Sequence, residues 1–329
     1  MKPHRNSNDI ATNDGPQRPE AFVLTKEYRR FAEFCDACRR YRYIGLCYGS
    51  PGVGKTLSAR YYADWDRIEA HRPVRDADTA ALLALLDSHT VFYTPAVVHS
   101  PGQIERDIGN LRYGLRSIIL EERERKQRLH LDKILRQERA EEEERQQKLL
   151  TEVDWIAGPI PLKPASHYAL LSREYGSENL QITDPTTLVI IDEADRLKMA
   201  SLEQVRDVFD RGGIGVILIG MPGIEKRLAR YPQLYSRVGF VHAFRPLTAT
   251  EVSDLLLQQN WRPAGVSLAE DAVADKEVLA AVIRITGGNF RLLHRLIAQI
   301  SRIMEINELA TISTQVVEAA RESLVIGTT

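Results

Sequence analysis

The residues best equipped for chemistry lie in one run, Gly49-Ser50-Pro51-Gly52-Val53-Gly54-Lys55-Thr56, followed by Leu57. Its glycines remove Cβ atoms where the backbone must curl, so that successive N–H groups and a helix N-terminus can point at an anion. Lys55 would supply positive charge to the β- and γ-phosphates of a nucleotide, and the Thr56 hydroxyl is placed to ligate Mg2+. Residues 49–57 are therefore the candidate nucleotide-binding stretch. Such a loop needs a partner, an acidic group at the tip of a buried strand. Leu188-Val189-Ile190-Ile191-Asp192-Glu193 supplies it. Asp192 would hold the Mg2+, directly or through water, and Glu193 would polarise the attacking water as general base.

These side chains need a frame, and the neighbouring residues predict one. Tyr43 to Tyr48, before the loop, reads as a strand and Leu57 to Ala63, after it, as a helix, which is the context a phosphate loop requires. The unbroken apolar run at 188–191 suits a strand covered on both faces. Lys26 to Tyr41 has helical spacing, Val91 to Pro95 reads as a second strand and Gln103 to Leu120 as a helix. Gly215 to Gly220 is a further buried strand and Gly239 to Phe244 a fifth. Strands alternating with helices imply an α/β fold, a three-layer sandwich around a parallel five-stranded sheet. From Thr250 onward only helical patterns remain. The expected organisation is a polar tail over 1–20, an α/β core over 21–247 with a charged helical insertion at about 116–185, and an all-α lid domain over 248–329.

Within the insertion, Arg116 to Leu150 carries ten Lys or Arg against nine Asp or Glu and has neither Pro nor Gly. That favours a long solvated helix laced with ion pairs such as Glu121 with Arg125, an arm for a neighbouring subunit or another protein, with Trp155 to Lys163 as its return.

The chain has 329 residues, room for about two compact units. It has no apolar run of membrane-spanning length, and the polar start Met1 to Asp9 lacks a signal-peptide core, so a cytoplasmic protein is expected. A net charge of -1 gives no global attraction to DNA or acidic membranes, and any nucleic-acid surface must be local. Cys35, Cys38 and Cys47 form an odd set without disulfide logic. Cys35 and Cys38 lack further ligands at zinc spacing and read as small residues on one helix face.

Three more features narrow the class. Leu234-Tyr235-Ser236-Arg237-Val238 precedes the fifth strand, Arg245-Pro246-Leu247-Thr248 follows it, and Gly287-Gly288-Asn289-Phe290-Arg291 lies in the helical domain. These residues resemble an AAA+ ATPase, in which a Ser-Arg pair supplies an arginine finger in trans and a Gly-Asn-x-Arg motif supplies a lid arginine. The phrases Gly220 to Glu225, Tyr231 to Arg237 and Thr286 to Leu293 look most like the transposition ATPases of the MuB, TnsC and TniB group. The resemblance implies ATP with Mg2+ at a subunit boundary, with Arg237, and Arg227 or Arg230 beside it, entering a neighbour's site, and Arg291 reaching the nucleotide from the lid. It further implies a homo-oligomeric filament or ring on duplex DNA without sequence preference, and a transposase and a target-selection protein as partners. Arg106, Arg112 and Lys163 are then the candidate DNA contacts. A secretion or signalling ATPase of ExeA-like type and a nucleotide-gated scaffold without turnover are the alternatives. One departure stands out: the fourth strand ends in Gly220-Met221, where such ATPases often carry a polar side chain that orients water. That predicts slow hydrolysis, suited to a timing switch.

Overall fold

The computed structural model describes residues 22–71, 87–152, 183–257 and 276–324. The tail expected over 1–20 and the return loop at Trp155 to Lys163 lie outside the described residues.

In chain order the described elements begin with α1 (Lys26–Tyr41), β1 (Ile44–Tyr48), α2 (Lys55–Tyr62), α3 (Trp65–Ala70), β2 (Thr90–Tyr93) and α4 (Pro101–Glu152). There follow β3 (Leu188–Ile191), a 3-10 turn (Ala194–Arg196), α5 (Met199–Gly212), β4 (Gly215–Gly220), α6 (Ile224–Leu228), α7 (Pro232–Tyr235) and β5 (Val238–Ala243). The C-terminal region is helical, with α8 (Ala249–Leu257), α9 (Lys276–Thr286), α10 (Phe290–Ile306) and α11 (Thr314–Glu322). The chain divides into two compact units, one drawing its described residues from 1–31, 49–55 and 243–329, the other from 32–48 and 56–242.

The second unit is built on the five-stranded parallel sheet, in the order β2-β3-β4-β1-β5. β3 pairs with β2 through Ile191 opposite Tyr93, and with β4 through Ile191 opposite Leu218. β1 pairs with β4 through Tyr48 opposite Gly220. Every residue of β3 and β4 is buried, because helices cover both faces and each side chain needs an apolar neighbour. β5, at the edge, alternates between partly buried and exposed positions. α1 supplies Phe34, Cys35 and Cys38 to the core beneath β1, where Cys47 is also buried. All three cysteines are free. Burial pushes the Cys35 thiol up and the Cys38 thiol up to about 12, so both stay protonated at neutral pH.

α4 is one uninterrupted helix of 52 residues, about 80 Å long at the usual rise. Ser100 caps it, its hydroxyl accepting from the Gln103 N–H at 3.2 Å, and Pro101 takes the first helical position, where a missing N–H costs nothing. Ile104, Ile108, Leu115 and Ile119 recur at helical spacing and are buried, packing this part on α5 and β2. Glu122 is the last buried side chain of α4 among the described ones, 3.6 Å from His71 Nε2 and 3.8 Å from Arg125 Nη1. Arg125 therefore pairs with Glu122, one residue further along than the expected Glu121. From Arg123 to Arg145 the side chains are exposed or partly so.

The first unit has its own core, formed by Val252 and Leu255 of α8, Val278 and Val282 of α9, Leu293, Leu296, Ile297 and Ile300 of α10, and Val316 and Val317 of α11. Asn289 caps α10, its side-chain oxygen accepting from the N–H groups of Arg291 and Leu292 at 3.1 and 3.2 Å. Such a cap is worth about 1 kcal/mol.

Candidate functional site

In the first unit the loop closes on itself and on α10. Lys55 is buried, and its ammonium donates to the carbonyls of Gly49 at 2.6 Å and Ser50 at 2.9 Å. Gly52 and Gly54 have φ of +83° and +108°, the left-handed region that side chains avoid. A Cβ on Gly52 would stand 2.6 Å from Asn289 Oδ1 and 2.8 Å from Arg291 Cβ. Glycine is needed there twice over, for its dihedral and for this close approach. Asn289 Nδ2 donates to the Pro51 carbonyl at 2.8 Å, and the Arg291 N–H to the Gly52 carbonyl at 3.0 Å. The Gly-Gly-Asn-Phe-Arg stretch thus holds the carbonyls of residues 51–52 through one side-chain and one backbone hydrogen bond. That contact could not be read from residues so far apart in sequence. Ser50, Pro51, Thr56 and Leu57 are exposed, Val53 is buried, and the Arg291 residue is exposed.

In the second unit, Thr56 Oγ1 donates to Asp192 Oδ2 at 2.6 Å. Asp192 is buried at the end of β3, and its other oxygen accepts from the Glu193 N–H at 2.9 Å. Hard oxygens from a hydroxyl and a carboxylate, side by side, are the donors Mg2+ prefers, so these residues fit the ion that the motif implies. Glu193 has φ of +51° and a side chain 48% exposed, which presents its carboxylate to solvent beside the buried aspartate. A non-glycine residue in that conformation costs about 1–3 kcal/mol and persists only where its surroundings hold it.

Of the three arginines expected to enter a neighbour's site, Arg237 and Arg227 make side-chain contacts within this chain. Arg237 forks onto Asp210 of α5, Nε to Oδ1 at 2.6 Å and Nη2 to Oδ2 at 2.8 Å, and also donates to the Gln233 carbonyl. The hydrogen bond from Arg237 holds the Asp210 carboxyl below the usual carboxylate range. Arg227 donates to the carbonyls of Asp195 and Ala194 at 2.8 and 2.9 Å, and Arg230 is exposed. Of the candidate DNA contacts, Arg106 is exposed. Arg112 is bound to Asp184, Nε to Oδ2 at 2.7 Å, and Lys163 lies outside the described residues.

A family model described as an AAA domain matches residues 38–228. A "Potential ATP-binding protein" of Staphylococcus aureus is 42% identical over 309 residues, 93% of this chain and 97% of that protein. Among solved structures, the ORC1 protein of Aeropyrum pernix in complex with DNA matches with a TM-score of 0.50 at 17% identity, over 92% of this chain. This chain spans 66% of that one, just under two thirds of its length. The RuvB Holliday junction branch migration motor of Thermotoga maritima matches with a TM-score of 0.46 at 14% identity, over 93% of this chain and 71% of that one. At such identities the ORC1 likeness speaks to the fold alone. The family match and the extensive identity to the staphylococcal protein go further, and on them the chain belongs to the AAA domain family of P-loop ATPases.

Proposed function

We propose that this protein is an ATP-hydrolysing regulator of DNA transposition, a switch that assembles as a homo-oligomer on duplex DNA and recruits or activates a transposase. The observation that carries the hydrolytic part is the 2.6 Å contact between Thr56 and Asp192, with Glu193 presented next to it. The transposition part rests on the resemblance of residues 220–225, 231–237 and 286–293 to the MuB, TnsC and TniB group.

In this reading the backbone N–H groups of 49–55 and the Lys55 ammonium bind the β- and γ-phosphates, and Thr56 and Asp192 hold Mg2+. A bound Mg2+ supplies charge neutralisation at the phosphates. Glu193 accepts a proton from the attacking water, Arg291 reads the nucleotide from the helical region 248–329, which serves as the lid, and Arg237 completes a neighbouring subunit's site. The absence of a polar side chain at Gly220-Met221 fits slow turnover.

The test measures ATP binding and single-turnover hydrolysis with and without duplex DNA. Lys55→Ala is expected to lose ATP binding, and Glu193→Gln to keep it while hydrolysis falls by about 10²-fold or more. DNA is expected to stimulate the wild-type rate. Hydrolysis indifferent to DNA would favour a secretion or signalling ATPase. ATP binding without any single-turnover hydrolysis would favour a nucleotide-gated scaffold.

A further inference from the structure

The residue after Glu193 begins a turn that is tied to the end of β4. Asp195, in the 3-10 turn after β3, accepts at Oδ2 from the N–H of Met221, the first residue beyond β4, at 2.6 Å. The carboxylate lies so close to the strand end that a Cβ on Gly220 would come within 2.6 Å of the same oxygen. Gly220 is thus more than a missing water-orienting side chain. Its bareness makes room for Asp195.

Arg227, on α6, closes the arrangement from the other direction. Its guanidinium donates from Nη1 to the Asp195 carbonyl at 2.8 Å and from Nη2 to the Ala194 carbonyl at 2.9 Å. A planar fork satisfying two successive carbonyls fixes the orientation of both peptide groups. Upstream, the Glu193 N–H is held by Asp192. The backbone is therefore bound on both sides of a glutamate with a left-handed φ.

From this juxtaposition we propose that Asp195 and Arg227 are positioning residues for hydrolysis, locking the turn after β3 to the end of β4 so that Glu193 faces the attacking water. The inference rests on the reading of Glu193 as general base. Misplacing a catalytic group by about 1 Å can cost about 10²-fold in rate, so loss of the lock should appear in the chemical step and spare binding.

The experiment uses the full chain and compares Asp195→Ala, Asp195→Asn and Arg227→Met for thermal stability, ATP affinity and single-turnover hydrolysis. Asp195→Ala and Arg227→Met are expected to slow hydrolysis by about 10- to 100-fold at unchanged ATP affinity. Asp195→Asn should recover most of the rate, because its amide oxygen can still accept from Met221. In a Glu193→Gln background, Asp195→Ala should add little, since both act on one group. Folded Asp195→Ala protein hydrolysing at the wild-type rate would overturn the proposal. So would an ATP affinity that falls with the rate, an asparagine variant no better than alanine, or a full additive loss on top of Glu193→Gln. A wild-type chain that binds ATP and never turns it over would overturn the underlying reading of Glu193, and this inference with it.

Discussion

At the scale of single residues, the most consequential contact is the fork between Arg237 and Asp210. An arginine that serves a neighbour's nucleotide must release its own aspartate, and a γ-phosphate with developing charge is the stronger partner for a guanidinium. Asp210 also accepts from Arg206 at 2.8 Å, so it keeps a cationic neighbour when Arg237 leaves. Exchange is then less costly than abandoning a lone carboxylate. If Arg237 acts in trans, Arg237→Ala should bind ATP normally and lose assembly-dependent turnover by about 10³-fold or more, the scale of a trans finger in GTPases. Mixing it with Lys55→Ala, whose own site is dead and whose Arg237 is intact, should restore turnover. Subunits shown to co-assemble without any such rescue would assign Arg237 to the ion pair alone.

At the scale of elements, α4 divides at Glu122 into a packed part and a projecting part. The packed part anchors on α5 and β2, whereas residues 126–145 add little buried apolar surface. Replacing 126–148 with a short Gly-Ser linker should leave ATP affinity intact and the melting temperature within a few degrees of the parent, because surface segments contribute little to a core. On the proposed transposition reading, assembly or transposase stimulation should nevertheless fall if the arm makes contacts. A variant that assembles and supports transposition like the parent would show the arm to be a solvated extension. The same helix shows what sequence can and cannot convey. Its two halves read as separate helices, an apolar-faced one at 103–120 and a long solvated one at 116–150, because the change of face composition hides the continuity of the backbone. β4 was legible to the residue, since a fully buried strand is written as an unbroken apolar run. The edge strand β5 lies one residue earlier than its pattern suggests, because exposed positions carry weaker signals. The loop at 49–56 and the acid that ends β3 could be picked out as candidates because each is a local pattern, and the structure brings Thr56 and Asp192 into contact. The Asp195 to Met221 bond and the Arg227 fork could not, since they depend on β3 and β4 being neighbours and span 26 to 33 residues of sequence.

At the scale of the whole molecule, a net charge of -1 gives no global attraction to DNA, so on the proposed reading any DNA affinity must come from a few local contacts. Among the described residues no helix is long and apolar enough to cross a membrane. Of the candidate cations, Arg106 is exposed, whereas Arg112 already bonds Asp184 through both Nε and Nη2. If the proposed reading holds and Arg106 is one of those contacts, Arg106→Ala should weaken ATP-dependent DNA binding and make the slope of log affinity against log salt shallower by about 0.9 per subunit, the signature of one lost phosphate contact. If two phosphates are neutralised per subunit, the parent slope is about -1.8 per subunit. Arg112→Ala should leave that slope unchanged and lower the melting temperature instead, because it breaks an ion pair between α4 and the chain leading to β3. Titrations on several unrelated duplexes should agree, since phosphate contacts carry no sequence information. Binding equally tight without ATP, or a slope untouched by Arg106→Ala, would remove this surface from the DNA-binding model and return the search to the remaining exposed cations.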